Sequence, residues 1–310
     1  MKSRLETQNC DLEVSVFPLL DWISAYLTDC LSRGLSKNTI CFYREKLDNF
    51  IKYCRTNNLH EIETLTANDL RNYFIGLQEN HSKGGVHAFY RTVKAFLNWY
   101  ELENEFSAWK NPINNISIKP PNLQPLEPAD IHAIKAILKT CKNDYVGIRD
   151  KAIYLFLLDT GVRASELLAL DHANINPITG VVQILHGKGD KFRTVYLSKK
   201  SRLALRKYIS LKSTKEGPLF TSQENIRLKY GAIRAMLRRR CIRAKVPNQT
   251  LHSFRRLFAI TMLRNGVDIF SLQMLMGHAD LQVLKRYLKL ASSDLENAHS
   301  KASPLNNLGL

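Results

Sequence analysis

Apolar residues recur at helical spacing through nearly all of residues 15–105, in four runs separated by short polar stretches. This spacing predicts four amphipathic helices. Ser36 and Thr66 precede two of the runs as helix caps, and Asp69 completes a capping box with Thr66. Gly34 suits the left-handed end of the first helix. The pattern predicts a small all-helical bundle.

The hydrophobic periodicity stops at residues 111–125, where Pro112, Pro120, Pro121 and Pro125 stand among few bulky side chains. Proline fixes φ and removes a backbone donor, so this stretch cannot continue a helix. We expect an extended linker and a domain boundary here.

The pattern changes again in the second part of the chain. Two helical runs come first, the second of them nearly all apolar, and β-rich runs at 181–185 and 192–197 then flank the turn-forming sequence GKGDK. Helical patterns return at 199–211, 225–243, 251–265, 268–276 and 280–290. The predicted fold class is mainly α, with a small antiparallel β-sheet confined to the second domain.

The two parts of the chain differ more in net charge than in hydropathy. Residues 1–120 contain 14 basic and 14 acidic side chains, so the whole net charge of +17 lies beyond them. A surplus of this size favours a polyanionic partner, because each phosphate contact releases counterions. A merely soluble basic surface is the alternative. Charge therefore indicates nucleic acid without naming a reaction.

The sequence lacks the patterns typical of membrane proteins, secreted proteins, metal sites and nucleotide-binding loops. No run of about 18 apolar residues could form a membrane span, and the N-terminus lacks a secretory pattern. The six cysteines are scattered without metal-like spacing, and no glycine-rich phosphate loop occurs. We expect a cytoplasmic protein with no metal, no nucleotide cofactor and no membrane partner.

Candidate chemistry begins at TGVRASEL, where Arg163 and Glu166 lie one helical turn apart. A guanidinium at a buried helix start can bind a phosphate, and Glu166 can hold an arginine in position. An ordinary ion pair is the alternative. In the hairpin, Lys188 at the turn is a candidate proton donor, with Lys191 and Arg193 following; solvated turn charges are the alternative.

The segment LHSFRRLFAI carries polar groups on a helix with an apolar stripe. His252 and Arg255 share a helical face, and Arg256 is nearly as close to it, so geometry alone does not choose between the two arginines. His278 follows Gly277, and Tyr287 comes nine residues later. The alternative for His252 is a structural histidine, and the alternative for Tyr287 is a tyrosine half-buried in the core.

Taken in order, Arg163, Lys188, His252-x-x-Arg255, Gly277-His278 and Tyr287 resemble the signature of the tyrosine recombinase (phage integrase) family. The resemblance covers nearly the whole chain and implies a two-domain clamp around duplex DNA. It also implies the following partition: an N-terminal extension at 1–14, a helical core-binding domain at 15–110, the linker at 111–125, a catalytic domain at 126–290 and a protomer-contacting tail at 291–310.

The resemblance assigns a role to each catalytic residue. Tyr287 would attack the scissile phosphate to form a 3′-phosphotyrosine, while Arg163 and Arg255 bind its oxygens and His278 adds a hydrogen bond. Lys188 would protonate the leaving 5′-oxygen, and His252 would assist proton transfer. Because the phosphotyrosine stores the bond energy, neither ATP nor metal is implied.

Departures from the family pattern are Arg256 after HxxR, Met276 before Gly277, and Leu284 and Lys285 ahead of the tyrosine. None removes a catalytic group. We expect no arm-binding domain ahead of residue 15, and in this respect the chain resembles Xer-like or transposon-borne recombinases. A tetramer on two DNA sites is implied, with a dimer on each site and a possible accessory factor or partner recombinase.

Basic residues on three helices and in the hairpin are predicted to contact DNA, mostly through phosphates. They are Lys37, Arg44, Lys83, Arg91, Lys94, Lys191, Arg193, Arg234, Arg238 and Arg239. Two rival functions remain. One is a DNA-relaxing enzyme similar to type IB topoisomerases, and the other is a DNA-binding regulator descended from a recombinase that lost activity.

Overall fold

The computed structural model describes residues 18–104, 109–121, 127–185 and 192–277, together with His299. The chain divides into two compact units, Met1–Asn122 and Leu123–Leu310. Among the described residues, no helix combines the length and the apolar character that crossing a bilayer demands.

The described residues of the first unit form a bundle of four helices, as predicted. They are α1 (Pro18–Ser32), α2 (Lys37–Thr56), α3 (Ala67–Leu77) and α4 (Lys83–Glu103). Ser36 caps α2, Ser82 caps α4, and Thr66 and Asp69 form the predicted capping box at α3. Phe50 and Phe96 are fully buried at the centre of the bundle. Capping and apolar periodicity therefore agree along this unit.

The start of the proline-rich stretch is not extended. Asn111 accepts a hydrogen bond from the Ile113 backbone N–H, and Pro112–Asn115 form a short 3₁₀ helix. Ile113 and Ile116 join the core of the first unit, and the Tyr90 hydroxyl donates to the Ile116 carbonyl. Pro112 has the fixed φ that suits a first helical position, so it begins a turn where a fully extended linker was expected.

In the part of the second unit that the structure describes, helices combine with one small sheet. Its elements are α5 (Ile131–Lys139), α6 (Tyr145–Thr160), α7 (Ala164–Ala169), β1 (Val181–Ile184), β2 (Arg193–Tyr196), α8 (Lys199–Ser210), α9 (Tyr230–Ala244), α10 (Leu251–Arg264) and α11 (Ile269–Met276). The two strands pair antiparallel, with Val182 opposite Val195 and Ile184 opposite Arg193. The mainly helical fold with a small antiparallel sheet is thus confirmed.

The core of the second unit is centred on α6. Ile153, Tyr154 and Phe156 are almost completely buried, and the helix contacts both α8 and α10. Its apolar residues lie on most sides, as a helix surrounded by protein requires. Because α6 ends beside Arg163, this core fixes the start of the candidate site.

A buried ionic cluster connects α6 with α9. The Asp150 carboxylate accepts hydrogen bonds from Arg149 and Arg240, and all three side chains are at least 93% buried. Arg240 also donates to the Thr140 carbonyl at the end of α5. Removing one member would leave buried charges without a partner, which is costly. The cluster therefore holds α9 against α5 and α6.

The predicted helix at 225–243 begins later than expected. Asn225 has φ +57° and Thr221 forms a β-bridge with Arg227, so residues 225–229 are not helical and the helix starts at Tyr230. A left-handed residue cannot continue a right-handed helix, and asparagine tolerates that conformation. The predicted helix at 280–290 lies outside the described residues.

Candidate active site

Gly161 produces the turn that presents Arg163. It ends α6 in the left-handed conformation, with φ +59°, and a Cβ there would lie 2.2 Å from the Phe258 ring. Only glycine fits both the backbone angle and this close approach. The chain then turns so that Arg163 becomes the N-cap of α7, with its side chain about one quarter exposed.

Glu166, on the first turn of α7, joins two arginines. One carboxylate oxygen accepts from Arg163 Nη1 at 2.7 Å and Arg193 Nη1 at 3.1 Å. The other accepts from the Arg163 backbone N–H at 2.8 Å and from Arg193 Nη2 at 2.5 Å. The Glu166 side chain is only 3% exposed. Four charge-assisted or backbone donors thus surround one buried carboxylate.

These bonds also determine the ionisation of Glu166. Burial alone would raise the pKa of the carboxyl, but hydrogen bonds from Arg193 and Arg163 outweigh burial and lower it. Glu166 therefore stays ionised at neutral pH. An ionised carboxylate keeps both guanidinium groups oriented toward it.

Arg193 was predicted to contact DNA, but its guanidinium points into the protein. Its side chain is 8% exposed, and its Nε donates to the Leu275 carbonyl at 2.9 Å. The alternation of buried and exposed residues along the strand could have predicted this inward direction. In β2 and just beyond, Arg193 alternates with exposed neighbours in step with buried Val195 and Leu197, which places all three on the inner face.

The two arginines of α10 have different surroundings. Thr250 and Ser253 form a capping box that starts the helix, and the Arg255 side chain is buried. Arg255 donates to the carbonyls of Gly161 and of Met276, the latter at 2.7 Å. Arg256 is only half-buried and donates to the Glu127 carbonyl at 3.1 Å. The structure therefore separates two residues that helical geometry could not.

Three arginines from three elements meet at the C-terminal end of α11. Arg193 donates to Leu275, Arg255 to Met276, and Arg163 to Gly277, the last at 3.3 Å. Carbonyls at a helix C-terminus carry partial negative charge and lack partners within the helix. They are favourable acceptors for cations, so this helix end gathers the arginines into one cluster.

His252 stands at the exposed edge of this cluster. Desolvation by the surrounding protein and the positive charges of Arg256, Arg255 and Arg163 lower the pKa of the imidazole. His252 is therefore neutral at pH 7, the form that accepts a proton. An adjacent neutral histidine and fixed guanidinium groups suit a reaction at a phosphate, where charge accumulates on oxygen.

A groove of about 980 Å³ extends from His252 along α9. Arg256 lies on one of its walls, and Arg234 and Arg238 lie on another. An open groove with three arginines on its walls suits a phosphate backbone better than a compact small molecule. The remaining predicted α9 contact, Arg239, is also exposed.

The predicted DNA contacts of the first unit lie on its surface. Lys37, Arg44, Lys83 and Arg91 are exposed, while Lys94 is half-buried with its ammonium group 5.7 Å from the centre of the Tyr90 ring. These positions leave the charged groups accessible to solvent, as contact with DNA phosphates requires.

Comparison with known proteins agrees with this geometry. Residues 130–293, more than half of the chain, match the model of the phage integrase family. The chain belongs to the phage integrase family of tyrosine recombinases. Residues 23–76 match the N-terminal SAM-like domain of phage integrases. The chain is therefore related to enzymes that exchange DNA strands.

Curated relatives within the tyrosine recombinases cover the same span. The tyrosine recombinase XerD of Staphylococcus saprophyticus is 27% identical over 285 residues, covering 88% of this chain and 95% of the relative. XerD of Staphylococcus aureus matches with the same identity and coverage.

Solved tyrosine recombinase structures share the fold. XerH bound to a palindromic difH substrate is 20% identical, with a TM-score of 0.73 over 97% of this chain and 99% of that one. A lambda integrase tetramer bound to a Holliday junction is 14% identical, with a TM-score of 0.72 over 87% of this chain and 76% of that one. At these identities the likeness shows the fold alone.

Four residues that the sequence predicts for the recombinase site lie outside the described residues. They are Lys188 and Lys191 of the hairpin turn, His278 and the nucleophile candidate Tyr287. The described part of the site consists of Arg163, Glu166, His252 and Arg255, with Arg193 joining it through Glu166.

Proposed function

We propose that the chain is a site-specific tyrosine recombinase that cuts and rejoins duplex DNA through a 3′-phosphotyrosine intermediate and a Holliday junction. The observation that supports this proposal most strongly is that Arg163 and Arg255 meet at one helix end, with His252 close enough to feel both charges, in a chain of this family. The tyrosine recombinase relatives and the DNA-bound structural neighbours support it further.

In the first step, the Tyr287 oxygen attacks the scissile phosphorus and loses its proton to His252, which is neutral at pH 7. A bond forms between phosphorus and the tyrosine oxygen, and the bond from phosphorus to the 5′-oxygen breaks. Lys188 supplies the proton that the leaving 5′-oxygen takes. Arg163 and Arg255 stabilise the charge on the non-bridging oxygens, with a hydrogen bond from His278.

Rejoining reverses these steps with a new partner. The 5′-hydroxyl of another strand attacks the phosphotyrosine, the tyrosine oxygen leaves, and the enzyme is regenerated. Two sites must be held together, so we propose a tetramer with a dimer on each site and with tail 291–310 contacting a neighbouring protomer. Lys37, Arg44, Lys83, Arg91, Lys94, Lys191, Arg234, Arg238 and Arg239 would hold the phosphate backbone.

A pool of nicked duplexes with randomised sequence tests the cleavage step. Cleavage next to the nick releases a short fragment, so the covalent adduct accumulates, and sequencing the trapped DNA identifies the target. We expect adduct with wild type and none with Tyr287→Phe. Tyr196→Phe is the matched control, because Tyr196 is an exposed tyrosine of the same unit, 62% accessible. An adduct that persists in Tyr287→Phe would refute the assignment of the nucleophile.

A plasmid carrying two copies of the trapped sequence then separates the remaining functions. A recombinase yields exchanged products, whereas a type IB-like enzyme yields only relaxed plasmid. A regulator that has lost activity binds the DNA without adduct or exchange. Exchange that requires added cell extract would indicate an accessory factor or a partner recombinase.

A further inference from the structure

Arg193 has more contacts with the candidate site than a DNA-binding surface residue would. It forms two hydrogen bonds with the Glu166 carboxylate and one with the Leu275 carbonyl. A Cβ at Gly277 would lie 2.8 Å from Arg193 Nη1, so the guanidinium also packs against the backbone of that glycine. These contacts join β2, α7 and the end of α11.

Glu166 transmits the position of Arg193 to Arg163. Both arginines share its two carboxylate oxygens, and Glu166 also accepts the backbone N–H of Arg163. The side chain of Arg163 is about one quarter exposed, whereas those of Arg193 and Glu166 are nearly buried. The buried pair thus supports a partly exposed guanidinium from behind.

We propose that Arg193 is a positioning residue: through Glu166 it fixes the guanidinium of Arg163 and the end of α11 in the geometry that strand cleavage requires. The role rests on the proposed recombinase function and assigns Arg193 a task other than the predicted DNA contact. Only a planar guanidinium reaches both carboxylate oxygens and the Leu275 carbonyl together; a lysine ammonium supplies charge without that fork.

Its position in the chain also connects Arg193 with the segment that contains Lys188. It is the first residue of β2 and follows Lys188 by five positions in the sequence. Anchoring this strand to α7 would keep the base of the hairpin in a constant position relative to Arg163.

Arg193→Lys, measured on the trapped nicked duplex, tests the proposal. We expect unchanged DNA affinity and an unchanged salt dependence, with single-turnover cleavage slower by about 100-fold, the typical effect of an ångström-scale misplacement. In an Arg163→Lys background, Arg193→Lys should slow cleavage little further, because both changes act on the same guanidinium.

Arg227→Lys is the matched control. Arg227 donates to the carbonyls of Leu168 and Leu170 at the other end of α7 and pairs with Asp171, away from Glu166. We expect its cleavage rate to stay at the wild-type value. If both lysine variants slowed cleavage in proportion to a lowered melting temperature, a general structural role would replace positioning.

Other outcomes overturn the proposal in distinguishable ways. A salt-dependence slope reduced by about 1 in Arg193→Lys, with weaker binding, would identify a phosphate contact. Full additivity with Arg163→Lys would show that Arg193 acts independently of Arg163. If wild type formed no adduct on any duplex, the proposed function itself would fail, and the positioning role would fail with it.

Discussion

Replacing Glu166 with glutamine tests the central ionic bridge. The change keeps the shape of the side chain but removes its charge and turns one acceptor oxygen into a donor. Of the four hydrogen bonds that the carboxylate accepts, two lose their acceptor and face an NH₂ group instead. Arg193, 8% exposed, is left without a carboxylate in a buried position.

The structure sets the size of the expected effect. A hydrogen bond to a charged group contributes about 1.5 to 3 kcal/mol, so losing two costs about 3 to 6 kcal/mol. Because Arg163 is partly exposed, water replaces part of its lost bond, so we expect a loss in the lower half of this range. A loss of that size agrees with the cost of about 3 to 5 kcal/mol for breaking a buried ion pair. For a unit of this size, a loss of about 3 to 4.5 kcal/mol lowers the melting temperature by about 6 to 18 °C.

Urea and thermal denaturation of wild type and Glu166→Gln at several pH values measure the effect. Because the folded-state pKa of Glu166 lies below the ordinary value, its stabilisation is fully present above the unfolded pKa and is lost as pH falls through the folded pKa. Glutamine does not titrate. The difference between the two proteins should therefore be largest near pH 7 and shrink in acid.

Asp171→Asn is the control for this experiment. Asp171 pairs with Arg227, but both side chains are roughly 40% exposed, so this change should cost less than about 1 kcal/mol. A Glu166→Gln protein whose free energy of unfolding lay within about 1 kcal/mol of wild type would show that the bridge contributes little. A larger deficit that stayed constant with pH would show that the ionised carboxylate is not its source.

Three further changes test other parts of the second unit. Asp150→Ala removes the partner of two buried arginines and should lower the free energy of unfolding by about 3 to 5 kcal/mol in urea; a loss below 1 kcal/mol would contradict the buried cluster. Gly277→Ala meets both a left-handed φ of +62° and the Arg193 guanidinium, so its melting temperature should fall further than that of Gly266→Ala, where φ is +87° but a Cβ meets nothing within 4 Å. An NMR titration should place the pKa of His252 below the ordinary value of about 6.5, and Arg256→Gln should raise it; an unchanged titration in that variant would remove Arg256 as a cause.

Much of the fold followed from local physics along the chain. The four helices of the first unit carry caps and apolar stripes that agree with one another, and α6 is apolar on most sides because protein surrounds it. Asn225 and Pro112 were harder to interpret. Asn225 is a left-handed residue that interrupts a helical pattern. Pro112 begins a 3₁₀ turn, and Ile113 and Ile116 of this segment pack into the bundle.

The site was harder to predict than the fold, because its contacts join distant parts of the chain. Periodicity could not separate Arg255 from Arg256, since the distinction depends on the carbonyls of Gly161 and Met276. The inward direction of Arg193 was readable from strand alternation, but a charged residue beside a basic turn favoured a DNA-facing interpretation. The sequence places Glu166 beside Arg163, but the pairing of Glu166 with Arg193 becomes evident only when the elements are packed together.

The arginines at the end of α11 bind main-chain oxygens, which every amino acid supplies. Substitution of Leu275 or Met276 by another residue of similar volume leaves these acceptors in place, provided the helix still ends at the same glycine. The hydrogen bonds of the three arginines at this helix end therefore do not depend on which side chains residues 275 and 276 carry. A lineage of such enzymes could vary this segment to suit new partners or new DNA while keeping the same arginine geometry.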